Sequence, residues 1–134
     1  MTATATETLA IRSSDDVVLV RQRVREWAVA LGFRLVDQTK FVTAASELAR
    51  NTLQHGGGGG VQIDPIVNGS RKGLRLTFED QGPGIADITQ ALQDGYSTGG
   101  GLGLGLSGSK RLCNEFSIES TPGQGTRVTV VRWT

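Results

Sequence analysis

Residues 47–60 read ELARNTLQHGGGGG, and the fold can be worked out from this stretch. The residues before the glycines have helical spacing, yet Glu47, Asn51 and His55 recur at four-residue steps along one side of that helix. Polar groups so close to a buried stripe must be paired, solvated or bound to a ligand. The five glycines that follow predict a slack connection that frees the end of the helix.

The polar stripe has two interpretations. In the first, it is a solvated flank in which Glu47 and Asn51 contact each other one turn apart. In the second, a carboxylate and an amide oxygen line a cleft, where the amide oxygen can ligate a hard cation such as Mg²⁺ and the carboxylate can accept a proton. His55 lies at the end of the helix, where a histidine more often supports the helix dipole than takes part in chemistry.

Two amphipathic helices precede the glycines. The second runs from about Val36 to His55, and its inward stripe consists of Phe41, Ala44, Ala45, Leu48 and Thr52. The first is predicted to begin at an N-cap, Ser14, and to end at Gly32. Its inward positions are Val17, Val20, Val24, Trp27, Ala28 and Leu31.

Short alternating segments predict the strands. TLAIRS is the first, VQIDPIV and GLRLTFED form a hairpin around NGSRKG, and FSIESTP and GTRVTVVRW form another around PGQG. ADITQALQ and SGSKRLCNE predict two further helices between the hairpins. The order β-α-α-β-β-α-α-β-β predicts an α+β fold: a two-layer α/β sandwich whose mixed, mostly antiparallel sheet carries its helices on one face.

Composition narrows the class of protein. The 134 residues predict a single domain over 1–134, with 1–7 as a frayed tail. A net charge of +1 gives no basic field for nucleic acid or an anionic membrane surface, and no apolar run is long enough to span a bilayer. Cys113 is the sole cysteine, which excludes an intrachain disulfide. A free thiol without a signal-peptide pattern predicts a cytoplasmic location.

Two glycine signatures follow the polar helix. EDQGPGIAD places Asp80, Gly82 and Gly84 at the end of an apolar strand. There the acid can accept a hydrogen bond from an exocyclic amino group, and the glycines let a flat ring approach the backbone. As a local motif, DQGPG equally predicts an ordinary turn.

GGGLGLGLSGSK, residues 99–110, joins glycines to a helix start, which suits polyphosphate because backbone N–H groups and the helix dipole converge. No strand precedes its G-x-G-x-x-G pattern, and the Gly-Lys-Ser/Thr of a Walker A loop is absent. A flexible linker would explain the glycines, but it would not explain the leucines that alternate with them.

Taken in order, the Glu-x-x-x-Asn, Asp-x-Gly-x-Gly, glycine-rich and GQGTRVTV segments resemble the Bergerat ATP-binding fold of gyrase, Hsp90, histidine kinases and MutL. The chain has no room for their additional domains and no helix with a phosphoacceptor histidine. It is similar to the small anti-sigma-type serine/threonine kinases, and to their RsbT switch kinases above all. That similarity is carried by VDQTKFVTAASELARN, EDQGPGI, DGYSTGGGLGLGLSGSKRLCNEFSI and the Trp near the C-terminus.

The resemblance implies a role for each motif residue. Glu47 would be the general base toward the acceptor hydroxyl, and Asn51 would hold Mg²⁺. Asp80 would read the adenine amino group of ATP, with Thr126 beside the ring. Residues grouped around the nucleotide would include Gly82, Gly84 and Ile85. The lid over the phosphates, residues 99–105, would use Gly100, Gly101, Leu102, Gly103, Leu104 and Gly105.

The resemblance also implies partners. RsbT-type kinases phosphorylate STAS-domain proteins of the stressosome and, once released, bind and activate a PP2C-type phosphatase. One alternative is an anti-sigma factor that sequesters a sigma factor and keeps ATP as a structural ligand, with Arg50 and the exposed side of the first helix as partner contacts or simply a solvated face. Another is an ATPase without a protein acceptor.

Overall fold

The computed structural model describes residues 6–85, 92 and 106–134. The predicted helix ADITQALQ, apart from Leu92, and the predicted glycine-rich lid lie outside these residues. The strands are Glu7–Ile11 (β1), Gly59–Asn68 (β2), Arg71–Asp80 (β3), Glu115–Thr121 (β4) and Gly125–Trp133 (β5). The helices are Ser14–Ala30 (α1), Leu35–Gln54 (α2) and Leu106–Arg111 (α3).

Within the described residues, the strands form one sheet in the order β1-β2-β3-β5-β4. Each neighbouring pair is antiparallel, so the sheet predicted as mostly antiparallel is wholly so in this part of the chain. β5 pairs with β3 on one side and β4 on the other, and it places Thr126 opposite Asp80. Asp80 is the last residue of β3 and Thr126 is the second residue of β5, so both lie at the same end of this strand pair.

The core lies between one face of the sheet and the two long helices. Alternate residues of β3 point inward, so Leu74, Leu76 and Phe78 are buried while Arg75 and Glu79 are exposed. The predicted inward stripe of α2 is buried throughout. In α1 the valines of the predicted stripe and Ala28 are buried, and Trp27 and Leu31 pack at the margin of the core. The two-layer α+β prediction is therefore confirmed.

The ends of α1 test two predicted signals. The N-cap is Ser13 and not Ser14, because the extended backbone of Ser13 lets its side chain accept a hydrogen bond from the Asp16 N–H. Two adjacent serines compete for this position, and Ser14 instead becomes the first helical residue. The predicted stop is confirmed, since Gly32 has φ of 87°, a conformation that glycine adopts without strain.

An ion pair fixes the N-terminal end of α2. Arg132 of β5 donates from Nη2 to Oδ1 of Asp37 at 2.6 Å, and from Nη1 to the carbonyl of Leu112 at 2.8 Å. This hydrogen bond lowers the pKa of Asp37 below its ordinary value. The start of α2 is thereby tied to the last inward position of β5 and to the segment that follows α3.

Candidate functional site

A cleft opens between the C-terminal half of α2 and the ends of β3 and β5. It brings together four of the predicted site residues: Asn51, Asp80, Ile85 and Thr126. The remaining lining is mostly apolar and includes His55, which lies at the end of α2. The full lining consists of Leu48, Asn51, Thr52, His55, Phe78, Asp80, Ile85, Leu106, Thr126 and Val128. An apolar wall with a few convergent polar groups is the usual form of a small-molecule site.

Asp80 lines this cleft with 7% of its surface exposed. Its Oδ1 accepts a hydrogen bond from the Gly82 N–H at 2.9 Å. No basic side chain pairs with it within residues 6–85, 92 and 106–134, although a buried carboxylate is costly without partners. Asp80 is therefore placed to accept a further hydrogen bond from a ligand.

Glycines surround Asp80 because nothing larger fits. A Cβ on Gly56 would lie 2.3 Å from the Asp80 Cγ, and a Cβ on Gly125 would lie 2.1 Å from the Asp80 carbonyl oxygen. Gly82 in turn packs against the backbone of Gly56, where an added Cβ would come within 2.7 Å. These contacts keep the strand end and its neighbouring loops in close backbone contact.

The run Gly56–Gly60 is thus not a slack connection, and that prediction is wrong for most of it. Gly59 and Gly60 are the first residues of β2, and Gly56 packs on Asp80. Gly57 and Gly58 adopt φ of 74° and 108°, which turns the chain from α2 into the strand. The glycines serve close packing and a tight turn more than freedom of movement.

Three hydrogen bonds hold the loop after Asp80. His55 Nε2 lies 3.2 Å from the Gly84 carbonyl, Ser120 Oγ accepts from the Ile85 N–H at 2.7 Å, and the Gly123 N–H donates to the Pro83 carbonyl at 2.7 Å. Gly84 itself has φ of 77°. Ser120 was not among the site residues predicted from the sequence. The sequence pattern that could have identified it is the alternation of β4, in which every second residue, Phe116, Ile118 and Ser120, faces inward.

Glu47 lies away from the cleft lining, one turn before Asn51. Its side chain is 36% exposed, and its Oε1 accepts a hydrogen bond from Arg50 Nη1 at 2.8 Å. The solvated-flank interpretation expected Glu47 to contact Asn51, and the observed ion pair is to Arg50. Glu47 is therefore accessible to a partner protein from outside the cleft.

Asn51 lines the cleft, and its amide oxygen Oδ1 is buried from solvent. No group of three or more His, Cys, Asp and Glu side chains able to hold a metal is found where the structure describes the chain. A divalent ion at this cleft would therefore take isolated oxygen ligands such as Asn51, together with phosphate oxygens of a ligand, which is the usual way Mg²⁺ is held. The predicted lid residues Gly100 to Gly105 lie outside the described residues, and Leu106, directly after them, lines the cleft.

The single cysteine, Cys113, does not line this cleft. Burial raises the pKa of Cys113 to about 12, so the thiol stays protonated at neutral pH. A protonated thiol is a poor nucleophile and a poor metal ligand. Cys113 instead packs at the margin of the core.

Comparison with known proteins agrees with this geometry. Residues 36–133 match the family described as histidine kinase-, DNA gyrase B- and HSP90-like ATPases. The chain is 48% identical over 118 residues to serine/threonine-protein kinase RsbT of Bacillus subtilis (strain 168), covering 88% of this chain and 89% of that protein. It is 33% identical over 125 residues to an anti-sigma F factor of Clostridium novyi (strain NT), covering 88% and 86% of the two chains.

A solved structure shows the same fold. The crystal structure of the RsbU and RsbW domains of a Mycobacterium tuberculosis protein matches 96% of this chain with a TM-score of 0.67 at 23% identity. This chain spans 32% of that longer chain. Among the helices that the structure describes, none combines the length and apolar character needed to cross a membrane.

Proposed function

The chain belongs to the histidine kinase-, DNA gyrase B- and HSP90-like ATPase family, among its RsbT-type serine/threonine kinases, and we propose that it phosphorylates a STAS-domain protein with Mg²⁺-ATP. We propose that residues 1–134 form a single kinase domain. The observation that carries the proposal is the meeting of Asn51, Asp80 and Thr126 in one cleft. These residues come from three separate elements, and each is of the type that a purine nucleotide with its metal requires.

The part of the cleft around Asp80 would bind the base. Asp80 is buried, and its Oδ1 accepts a hydrogen bond from the Gly82 N–H. Its carboxylate would also accept a hydrogen bond from the adenine amino group. Thr126 lies opposite Asp80 in the strand register, so it would stand beside the same edge of the ring. Apolar Phe78 and Val128 line the same cleft and would pack against the ring.

The part of the cleft around Asn51 would hold the phosphates. An amide oxygen is a ligand that suits a hard divalent ion, and Mg²⁺ when bound to Asn51 would neutralise charge on the phosphate oxygens. Residues 99–105 would cover the phosphates with backbone N–H groups. Because this positioning supplies most of the acceleration in phosphoryl transfer, few side chains need to take part in the chemistry.

Glu47 would take the proton of the acceptor hydroxyl. The hydroxyl oxygen forms a bond to the γ-phosphorus while the bond to the β,γ-bridging oxygen breaks, ADP leaves, and the hydroxyl proton passes to the Glu47 carboxylate. The exposed position of Glu47 supports this role, since the acceptor arrives on another protein. Arg50 would hold the carboxylate in place through its hydrogen bond to Oε1.

The relatives support a switch between partners. One is named a serine/threonine-protein kinase RsbT and others are named anti-sigma F factors. After phosphorylating its STAS-domain substrate, the kinase would be released to bind a PP2C-type phosphatase. The alternative is sequestration of a sigma factor with ATP as a structural ligand, as the names of the anti-sigma relatives suggest.

The test uses γ-labelled ATP, Mg²⁺ and a STAS-domain protein whose gene lies near the gene for this protein. We expect the label to move to a serine or threonine of the STAS protein and the phosphorylated STAS protein to release the kinase in a pull-down. Capture of a sigma factor without labelling of any STAS protein would establish the alternative. Release of labelled inorganic phosphate in the absence of an acceptor would instead identify an ATPase.

A further inference from the structure

Ser120 joins the two sides of the cleft through one hydroxyl group. Its Oγ lies 2.7 Å from the Ile85 amide nitrogen, 3.0 Å from the Gly125 carbonyl oxygen and 2.9 Å from Thr126 Oγ1. A serine hydroxyl has one proton to donate and two lone pairs that accept. These three contacts therefore use its whole capacity for hydrogen bonding.

The direction of each hydrogen bond follows from the two backbone partners. The Gly125 carbonyl can only accept, so the Ser120 proton is donated there, and the Ile85 N–H can only donate, so it fills one lone pair. The contact between Ser120 and Thr126 must then be donated by Thr126. Because threonine also has a single hydroxyl proton, Thr126 meets the cleft as an acceptor.

Asp80 and Thr126 then present the same polarity to a ligand. They are partners in the register of β3 and β5, and both line the cleft. A carboxylate accepts only, and Thr126 has given its proton to Ser120. Two acceptors side by side can each accept one hydrogen of an amino group at position 6, whereas a 6-oxopurine offers a single N1–H beside a carbonyl oxygen that would face lone pairs.

We propose that Ser120 is a positioning residue that sets purine specificity: it fixes the Thr126 hydroxyl as an acceptor and so makes the cleft reject 6-oxopurine nucleotides. The proposal rests on the proposed function, because it requires the purine ring to lie at Asp80. Without Ser120 the Thr126 hydroxyl is free to rotate and donate to a carbonyl oxygen. A site that rejects a ligand by unpaired polar groups discriminates strongly, so loss of this constraint should be measurable.

The test compares ATP with inosine triphosphate, which has a carbonyl oxygen at position 6 and no amino group at position 2. Isothermal titration calorimetry in magnesium buffer measures both Kd values. We expect Ser120→Ala to reduce the preference for ATP by roughly three- to tenfold, the effect of one hydrogen bond on an equilibrium constant. Ser117→Ala is the matched control, since Ser117 lies on the same strand but on the exposed face of the sheet.

A double-mutant cycle separates specificity from structure. If Ser120 only tethered Ile85 and Gly125, its loss would weaken both nucleotides by the same factor and leave their ratio unchanged, which would overturn the proposal. In a Thr126→Val background, Ser120→Ala should have no further effect on the ratio, because the hydroxyl it controls is gone. A further change of the same size in that background would also contradict the proposal.

Two further results must be told apart: a variant that does not fold, and a wild-type protein that binds no nucleotide. If Ser120→Ala does not fold, Thr126→Val alone carries the test, because removing the acceptor should also reduce the preference for ATP, and an unchanged ratio would overturn the inference. If the wild-type protein binds neither nucleotide, the proposed function fails at its first step. Wild-type binding of ATP with an unchanged ratio in the variants would leave the proposed function intact and remove only the role of Ser120.

Discussion

Two carboxylates, one near each end of α2, differ in the partners that the protein gives them. At its start, Asp37 is paired with Arg132, and the two side chains are 17% and 14% exposed. At its end lies Asp80, buried more deeply and without a basic partner in the described part of the chain. The first carboxylate is neutralised by a charged side chain of the protein, whereas the second accepts a hydrogen bond from the Gly82 N–H and has no basic side chain beside it in the described residues. Polar groups that stabilise a fold and polar groups that bind a ligand are thus distinguished by their partners, not by their burial.

This contrast predicts that changes at the start of α2 alter stability and that changes near its end alter activity. The largest effect is expected for Asn51→Ala, which should abolish Mg²⁺-dependent phosphorylation because the side chain proposed to hold the metal is lost. The thermal unfolding midpoint should stay close to that of the wild type. Phosphate transfer to a STAS substrate, assayed alongside circular dichroism, checks both parts. Wild-type labelling by this variant would remove Asn51 from the proposed metal site.

The next effect is expected for Glu47→Gln, which keeps the shape of the side chain and removes its basicity. Phosphate transfer should fall by roughly 10²–10⁴-fold, the usual contribution of a general base. The Kd for ATP should not change, since Glu47 does not line the cleft. Glu26→Gln is the matched control, because Glu26 also pairs with an arginine three residues away, Arg23, on an exposed helix face. Equal turnover of the two variants would exclude Glu47 as the base.

A matched pair of substitutions tests the comparison directly. Asp80→Asn should weaken ATP binding by about 10- to 150-fold, which corresponds to the roughly 1.5–3 kcal/mol of a hydrogen bond to a charged group. It should leave stability nearly unchanged, because no ion pair is broken. Asp37→Asn should do the reverse and lower the unfolding midpoint at pH 7 while ATP binding is retained. Calorimetric titration and thermal unfolding of both variants give the four values needed, and similar behaviour of the two would refute the contrast.

The dependence on pH sharpens the same test. Arg132 lowers the native pKa of Asp37, so the ion pair stabilises the fold above the ordinary pKa of an aspartate and is lost as the pH falls through the lower native value. The stability difference between wild type and Asp37→Asn should therefore shrink on acidification. Unfolding midpoints recorded from pH 7 downward check this. A difference that grows as the pH falls would mean that Asp37 is not held in its ionised form.

The smallest effect is expected from the glycines. Gly56→Ala places a methyl group 2.3 Å from the Asp80 Cγ, so it should destabilise the protein by about 1–3 kcal/mol and weaken ATP binding by displacing the carboxylate. Gly108→Ala is the control, since the described residues leave open space around it in α3. It should stabilise by roughly 0.5–1 kcal/mol through helix propensity. Denaturant unfolding resolves changes of opposite sign, and equal behaviour would contradict the packing described at Asp80.

What could be predicted from the sequence was local in origin. The inward stripe of α2 follows from helical periodicity, and Gly32 stops α1 because few other residues adopt its φ. Asp80 and Thr126 were predicted as neighbours only through the family resemblance. The N-cap was misassigned by one position because Ser13 and Ser14 are equally good caps, and the backbone between strand and helix decides between them.

What could not be predicted depends on contacts between distant parts of the chain. Gly56 needs to be glycine because of Asp80, and nothing near Gly56 in the sequence indicates that contact. The pair of Asp37 and Arg132 spans 95 residues, and an arginine at an inward position of a strand did not suggest a partner on a helix. Ser120 could have been found, since its inward position in β4 follows from alternation, but its three partners could not.

The place of β5 in the sheet has a consequence for how the protein is made. β5 is the last of the described strands in the chain, yet it lies between β3 and β4. During synthesis β3 therefore emerges with one edge unpaired, and β4 has no neighbour in the sheet, until residues 125–133 have left the ribosome. Thr126, which lines the cleft, and Arg132, which pairs with Asp37 of α2, both belong to that strand. A nascent chain without β5 therefore lacks part of the cleft lining and the ion pair at the start of α2. Ribosome-bound chains stopped before this point should be unable to retain nucleotide and should depend on chaperones for solubility.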